Sequence, residues 1–105
     1  MAKQLTSAEF DRVITEAKVP VLVDCYADWC GPCRMMSPVV DEMAARFAGQ
    51  LEVYKLNVDT DGDAVRAFNV FSIPNFLLFK DGVLASQRVG AMRPEAFEAF
   101  LKEMM

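Results

Sequence analysis

The sequence predicts an α/β fold in which a central mixed sheet of parallel and antiparallel strands is flanked by helices on both faces. Two short segments, residues 19–26 and 75–79, are apolar at most positions, as strands covered on both faces usually are. Segments with apolar residues at helical spacing alternate with them along the chain. An Asp-Gly pair at 81–82 predicts a hairpin, so the last strand should return antiparallel to the one before it.

The first helix is predicted behind the sequence TSAE at residues 6–9. These residues form a capping box, because Thr6 and Glu9 can each satisfy a free backbone N–H. Behind the box, apolar residues recur at helical spacing at Phe10, Val13, Ile14 and Ala17. The segment VPVLVDCY at 19–26 then reads as the first central strand.

A long helix follows from about residue 32 to residue 48. LEVYKLNV at 51–58 is the next predicted strand, and DGDAVRAFNV at 61–70 suits a short helix. The apolar residues of the long helix form a stripe that faces the core: Met36, Val39, Val40, Met43, Ala44 and Phe47.

The carboxyl-terminal third predicts a hairpin followed by a helix. NFLLF at 75–79 is a buried strand, and LASQRV at 84–89 should return antiparallel after the turn. The last helix is predicted within residues 93–105, because a proline stands near its first position and apolar residues follow at helical spacing.

Composition excludes several classes of protein. With 105 residues, 53% of them hydrophobic and 25% charged, the chain should form one globular domain over residues 1–105. A net charge of −4 without a run of Lys or Arg argues against nucleic-acid binding. No apolar run approaches the length of a membrane span, so we expect no membrane association. The amino-terminal residues lack the apolar core of a signal peptide, so we expect a cytoplasmic protein.

The segment WCGPC at 29–33 contains the residues that are candidates for catalysis. Extending the apolar stripe of the long helix backwards reaches Cys33, so Cys33 should point into the protein. Cys30 lies one turn earlier, where free N–H groups and the helix dipole stabilise a thiolate. The two sulfurs are close enough for a disulfide. An exposed thiolate at Cys30 beside a sheltered thiol at Cys33 is the arrangement that thiol–disulfide exchange requires.

The neighbouring residues favour this interpretation over its alternatives. Gly31 leaves Cys30 open to a substrate, Pro32 fits the first helical turn, and Trp29 offers apolar surface. A tetrahedral zinc site needs four Cys or His ligands, whereas the chain has three cysteines and no histidine, so we expect no metal. Haem attachment needs a histidine after the second cysteine, and in this chain Arg34 follows Cys33. Two buried cysteines that act as small apolar residues would explain Cys33 but not Cys30.

The sequence resembles the thioredoxin family over essentially its whole length. WCGPC matches the active-site motif of the family, and VLVDCYADWCGPCRMMSP, KLNVD, SIPN, FKDG and VGA occur in its order and spacing. The resemblance implies a thioredoxin fold and a monomeric dithiol carrier that a thioredoxin reductase reduces and that reduces disulfides in client proteins. It implies no bound cofactor beyond the reversible Cys30–Cys33 disulfide, with Cys30 as the attacking cysteine and Cys33 as the resolving one.

Two further catalytic residues follow from the resemblance. Asp24 matches the buried aspartate behind the resolving cysteine, with a role as its proton acceptor. Apolar residues continue after Asp24, which favours burial over an exposed strand end. Lys55 matches the lysine near that aspartate, although a lysine stem that reaches out of a strand to solvent would explain it nearly as well.

The resemblance also implies a docking surface for clients. Pro74 matches a cis-proline opposite the active site, and the backbone of Ile73 would pair with an extended client segment. Gly90 and Ala91 match small residues that complete the surface. With Trp29, Gly31 and Pro32, these residues should form one exposed apolar patch around the Cys30 sulfur.

Several positions depart from the pattern of the family, among them Asn75 and Cys25. Asn75 stands where threonine is usual and should add a hydrogen-bond donor beside the docking strand. Cys25 replaces a common phenylalanine, and a small core residue on the opposite face of the sheet from Asp24 is favoured over a third redox thiol.

Three functions remain open at this point. The first is a disulfide reductase. The second is an oxidising or isomerising enzyme, which the Gly31-Pro32 pair and the absence of a signal peptide disfavour. The third is a structural subunit of a larger assembly with idle thiols, which the sequence leaves open as an additional role.

Overall fold

The computed structural model describes residues 2–105. Over that part of the chain, five strands form one sheet: β1 (Lys3–Gln4), β2 (Val21–Tyr26), β3 (Glu52–Asn57), β4 (Asn75–Lys80) and β5 (Val83–Val89). Their order in the sheet is β1-β3-β2-β4-β5. The pairs β1–β3 and β2–β3 are parallel, whereas β2–β4 and β4–β5 are antiparallel. The predicted mixed sheet is therefore confirmed.

Helices cover both faces of the sheet, as predicted. They are α1 (Ser7–Glu16), α2 (Gly31–Arg46), the short α3 (Val58–Asp61), a 3₁₀ helix (Gly62–Phe68) and α4 (Pro94–Lys102). Residues of α2 and α4 pack with Leu22 and Phe76 on one face, whereas α1 and the 3₁₀ helix pack with Val23 and Leu77 on the other. Every helix in the described part of the chain is too short or too polar to cross a bilayer.

Two local sequence signals take the predicted conformation, one at the start of α1 and one after the end of β4. The Glu9 carboxylate accepts hydrogen bonds from the Thr6 hydroxyl at 2.8 Å and from the Thr6 backbone N–H at 3.2 Å, and both lower the pKa of Glu9. The predicted capping box is therefore formed. Asp81 and Gly82 both have positive φ, at 54° and 79°. Such a pair of left-handed residues matches the right-handed twist of the flanking strands, so the predicted hairpin forms.

The structure differs from the expected elements in two places. Strand β1 was not expected, because two exposed polar residues carry no strand pattern; it forms because β3 offers a free edge, where Gln4 is the register partner of Lys55. The short helix predicted at 61–70 begins earlier, at Val58, and continues as a 3₁₀ helix. The Asn57 side chain accepts the Asp59 N–H at 2.9 Å, which ends the strand and starts the helix.

Candidate active site

Helix α2 positions the two cysteines of the WCGPC segment. Cys30 is its N-cap and Cys33 lies in its first turn, and the two form a disulfide with a Cα–Cα distance of 5.2 Å. The backbone N–H of Cys33 donates a hydrogen bond of 3.2 Å to Sγ of Cys30. A free amide at the positive end of the helix dipole therefore points at the Cys30 sulfur.

The expected exposure of Cys30 is wrong for the disulfide state. Cys30 is 4% exposed and Cys33 is 5% exposed. Both side chains pack with Ala27 and are covered by the half-buried Tyr26, Val58 and Ile73. The disulfide holds the Cys30 sulfur against Cys33, so both residues are buried to nearly the same extent. They differ in that a backbone N–H is directed at Sγ of Cys30.

Strand β2 brings Asp24 to the face of the sheet that α2 covers. Its side chain is 2% exposed, and Oδ1 has no hydrogen-bond partner among residues 2–105. Burial raises the pKa of Asp24 to about 7, against the opposing effect of the Lys55 charge. The predicted burial of Asp24 is confirmed, and a carboxyl group that titrates near neutrality can accept or release a proton at physiological pH.

Cys25 lies on the opposite face of the sheet. It is fully buried in the cluster that includes Phe10, Val23 and Leu77. Burial raises the pKa of its thiol well above the usual range, and the nearby Asp24 acts in the same direction. The interpretation of Cys25 as a core residue is confirmed.

Lys55 is the register partner of Asp24 on the neighbouring strand. Its ammonium group donates a hydrogen bond of 3.1 Å to Oγ of Ser37 and lies 4.8 Å from the centroid of the Tyr26 ring. Sequence reasoning missed Ser37, although its position four residues after Cys33 on one helix could have indicated it. These contacts border a cavity of about 130 Å³ lined by Tyr26, Ala27, Asp28, Cys33, Arg34, Ser37 and Lys55.

The loop before β4 approaches the disulfide from the other side. The carbonyl oxygen of Ile73 lies 3.9 Å from Sγ of Cys30, and the Ile73–Pro74 peptide bond is cis, as the resemblance implies. The Gly90 N–H donates to the Pro74 carbonyl oxygen at 2.8 Å, which ties the end of β5 to this loop.

The exposure of the expected docking residues is uneven. Trp29 is 68% exposed, and its indole N–H donates to Asp59 at 2.9 Å. Pro32 and Ala91 are exposed, and Gly31, Ile73 and Gly90 are half-buried. Pro74 is buried, so its expected exposure is wrong. Its carbonyl oxygen accepts the Gly90 N–H, so Pro74 holds the loop in place and does not itself form the exposed surface.

Asn75 is buried and does not offer the expected hydrogen-bond donor beside the docking strand. It is 1% exposed; its amide donates to the Ser72 carbonyl at 3.2 Å and accepts from the Gln87 side chain at 2.9 Å. Gln87 also donates to the Phe68 carbonyl at 3.1 Å. The amide of Asn75 is therefore engaged within the protein, and its effect is to hold the loop before β4 rather than to offer a donor to a client.

In the described part of the chain, no group of three or more His, Cys, Asp or Glu side chains is arranged to hold a metal ion. The chemistry that this arrangement supports is the exchange of the Cys30–Cys33 disulfide.

Comparison with known proteins agrees with the geometry. A family model described as Thioredoxin matches residues 1–103. The chain is 44% identical over 97 residues to a thioredoxin of Pseudomonas aeruginosa, covering 92% of this chain and 90% of the relative. It is 45% identical over 101 residues to a thioredoxin of Alicyclobacillus acidocaldarius, covering 96% of this chain and 95% of the relative. A thioredoxin of Haemophilus influenzae is 38% identical over 99 residues.

Proposed function

The chain belongs to the thioredoxin family and is a thiol–disulfide oxidoreductase, and we propose that it acts as a cytoplasmic reductase of protein disulfides through Cys30, Cys33 and Asp24. The observation that carries the mechanism is the disulfide at the start of α2, with an amide directed at the Cys30 sulfur, together with the buried Asp24 carboxyl group on the sheet face that α2 covers.

Cys30 is proposed as the nucleophile. After reduction of the disulfide, the Cys33 N–H and the helix dipole stabilise negative charge on the Cys30 sulfur. The Cys30 thiolate then attacks one sulfur of a client disulfide. A mixed disulfide forms between Cys30 and the client, and the second client sulfur leaves as a thiolate.

Cys33 is proposed to resolve the mixed disulfide. Its thiol transfers a proton to the Asp24 carboxylate, and the resulting thiolate attacks Sγ of Cys30. The Cys30–Cys33 disulfide forms, and the first client sulfur leaves. The client thereby gains two electrons, and the two cysteines are oxidised.

Client docking is proposed on the surface around Cys30. The Ile73 carbonyl borders the Cys30 sulfur and can accept a hydrogen bond from an extended client segment. Trp29, Gly31, Pro32 and Ala91 supply apolar surface beside it, and Pro74 and Gly90 hold the loop in place.

The partners follow from the family. We propose that a thioredoxin reductase returns the disulfide to the dithiol, that clients are proteins with disulfides, and that residues 1–105 act as a monomeric single domain. The Cys30–Cys33 pair is the redox group, and Lys55 acts through its charge near Asp24.

Reduction of insulin by dithiothreitol tests the function. The wild type should accelerate precipitation of the insulin B chain, and Cys30→Ser should abolish the acceleration. Cys25→Ser is the matched control, because Cys25 lies in the core on the far face of the sheet, and it should retain the activity. Equal rates for the wild type and Cys30→Ser would overturn the proposal. Cys33→Ser that has been reduced and then freed of dithiothreitol should accumulate a mixed disulfide with insulin, since attack proceeds without resolution.

A further inference from the structure

Among residues 2–105, the Lys55 ammonium group has two partners, neither of which is its neighbour Asp24. It donates a hydrogen bond to Ser37 and lies over the face of the Tyr26 ring. We propose that Ser37 and Tyr26 are positioning residues, which hold the Lys55 ammonium at the cavity beside Cys33 and prevent it from forming an ion pair with Asp24. This inference rests on the proposed role of Asp24 as proton acceptor.

The backbone would allow the ion pair. Asp24 and Lys55 are register partners on adjacent parallel strands, so their side chains leave the same face of the sheet. Yet the salt bridges within residues 2–105 do not include this pair. Oδ1 of Asp24 has no partner among the same residues. A flexible lysine beside a buried carboxyl group would ordinarily turn toward it, so the contacts at its tip must hold it elsewhere.

Both holding contacts come from elements that are themselves fixed. Ser37 lies one helical turn after Cys33 on α2, so its hydroxyl shares a face with the resolving cysteine. The Tyr26 hydroxyl donates to the Gln4 side chain at 3.2 Å, which ties the ring to β1. The ring face attracts the ammonium electrostatically. The lysine tip is therefore bound from the helix side and from the sheet side.

The other charged groups around Asp24 do not replace these contacts. Asp41 on α2 acts on Asp24 with a like charge, which favours the protonated carboxyl group. Asp28 and Arg34 line the same cavity as Lys55, and Arg34 donates to the Asp28 carbonyl at 2.8 Å. Lys55 is the cation that most opposes the effect of burial on Asp24.

The placement matters for proton transfer. An ammonium in contact with Asp24 would hold the carboxylate ionised, and such a carboxylate is a weak base toward the Cys33 thiol. An ammonium group held at the cavity partly stabilises the ionised Asp24 carboxylate, and the carboxylate remains basic enough to accept the Cys33 proton. Ser37 and Tyr26 thus set the strength of the proton acceptor through Lys55.

The test is the titration of the Asp24 carboxyl group, followed by NMR in the disulfide form. Ser37→Ala frees the lysine tip and should lower the Asp24 midpoint by about one pH unit or more. Tyr26→Leu should shift it in the same direction. Ser37→Thr and Tyr26→Phe are the matched controls. They retain the hydroxyl and the ring face that contact the ammonium group, so they should shift the midpoint less than Ser37→Ala and Tyr26→Leu do.

A second background shows whether the effect passes through Lys55. With Lys55→Met the Asp24 midpoint should rise, and adding Ser37→Ala should then change nothing. An unchanged midpoint in Ser37→Ala, or the same shift with and without Lys55, would overturn the inference. The titration does not depend on turnover, so absent insulin reduction would refute the proposed function without affecting this result. The rate of mixed-disulfide resolution, measured against pH, should rise at a lower pH in Ser37→Ala than in the wild type. The maximum rate that Ser37→Ala reaches should be lower.

Discussion

The Cys33 backbone N–H points at the sulfur of Cys30 at 3.2 Å, and no equivalent amide is directed at Sγ of Cys33 in the described part of the chain. This asymmetry persists although both cysteines are nearly equally buried in the disulfide. It predicts how the reduced protein will react.

After reduction with a phosphine, Cys30 should react with iodoacetamide much faster than Cys33 or Cys25. The amide and the helix dipole stabilise the Cys30 thiolate, which is the reactive species, whereas Cys25 is fully buried. Mass mapping after a brief exposure measures the order of labelling, with Cys25 as the internal control. Faster labelling of Cys33 would reverse the proposed roles of the two cysteines.

Removal of the Asp24 charge should stabilise the protein above neutral pH. The folded pKa of about 7 lies above the unfolded value of about 3.9, so between them the folded state holds the additional proton. Wild-type stability should therefore fall as the pH rises from about 4 to about 7 and stay reduced above pH 7. The loss is about 1.4 kcal/mol for each unit by which the folded pKa exceeds the unfolded pKa. Asp24→Ala and the isosteric Asp24→Asn lack this loss.

Denaturant unfolding of the three proteins at about pH 4 and about pH 8 measures this difference. The stability of both variants relative to the wild type should increase from the lower to the higher pH. Both variants should also resolve mixed disulfides more slowly than the wild type. A pH-independent difference would contradict the raised pKa of Asp24. Destabilisation of Asp24→Asn at the higher pH would identify Asp24 as a paired structural ion.

Trp29→Ala should impair docking without affecting the fold. Trp29 is 68% exposed beside Cys30, and a well-placed aromatic anchor typically contributes more than about 1 kcal/mol to binding. We expect kcat/KM for a protein disulfide to fall at least about fivefold, with a change in unfolding free energy below about 0.5 kcal/mol.

Val83→Ala is the matched control, since Val83 is 66% exposed but begins β5 at the hairpin, away from the Gly90 end. It should leave kcat/KM unchanged. Equal losses in the two variants would show that docking does not involve Trp29.

Gly82→Ala should destabilise the protein by about 1 kcal/mol, because an alanine at positive φ brings its Cβ close to the carbonyl oxygen. Gly82 has φ 79°, and an added Cβ would meet Thr15 at an ordinary 3.9 Å, so backbone conformation and not crowding sets the cost. Thermal unfolding measures the effect.

Gly62→Ala is the control for this position. Gly62 has φ −61°, and an added Cβ there would meet nothing within 4 Å. It should be neutral or stabilising by up to about 1 kcal/mol, because alanine loses less backbone entropy on folding. Destabilisation of both variants by the same amount would contradict the explanation from φ.

Much of the fold could be predicted from local patterns. The capping box of Thr6 and Glu9 and the left-handed pair Asp81-Gly82 act over a few residues, so the chain specifies them without distant contacts. The same holds for the apolar stripe that turns Cys33 inward and places Cys30 at a helix start. Amino-acid order was sufficient for these features because each depends on neighbours in the chain.

Contacts between distant segments decided the rest. Strand β1 exists because the edge of β3 can pair with it, and Cys30 is covered because Ile73 folds over it. Asn75 turns inward because Gln87 and Ser72 satisfy its amide. The Lys55 ammonium could have reached Asp24 or solvent, and Ser37 from the opposing helix determines its place. A side chain with several possible partners takes the one that packing brings within reach, and the order of residues along the chain does not specify that distance.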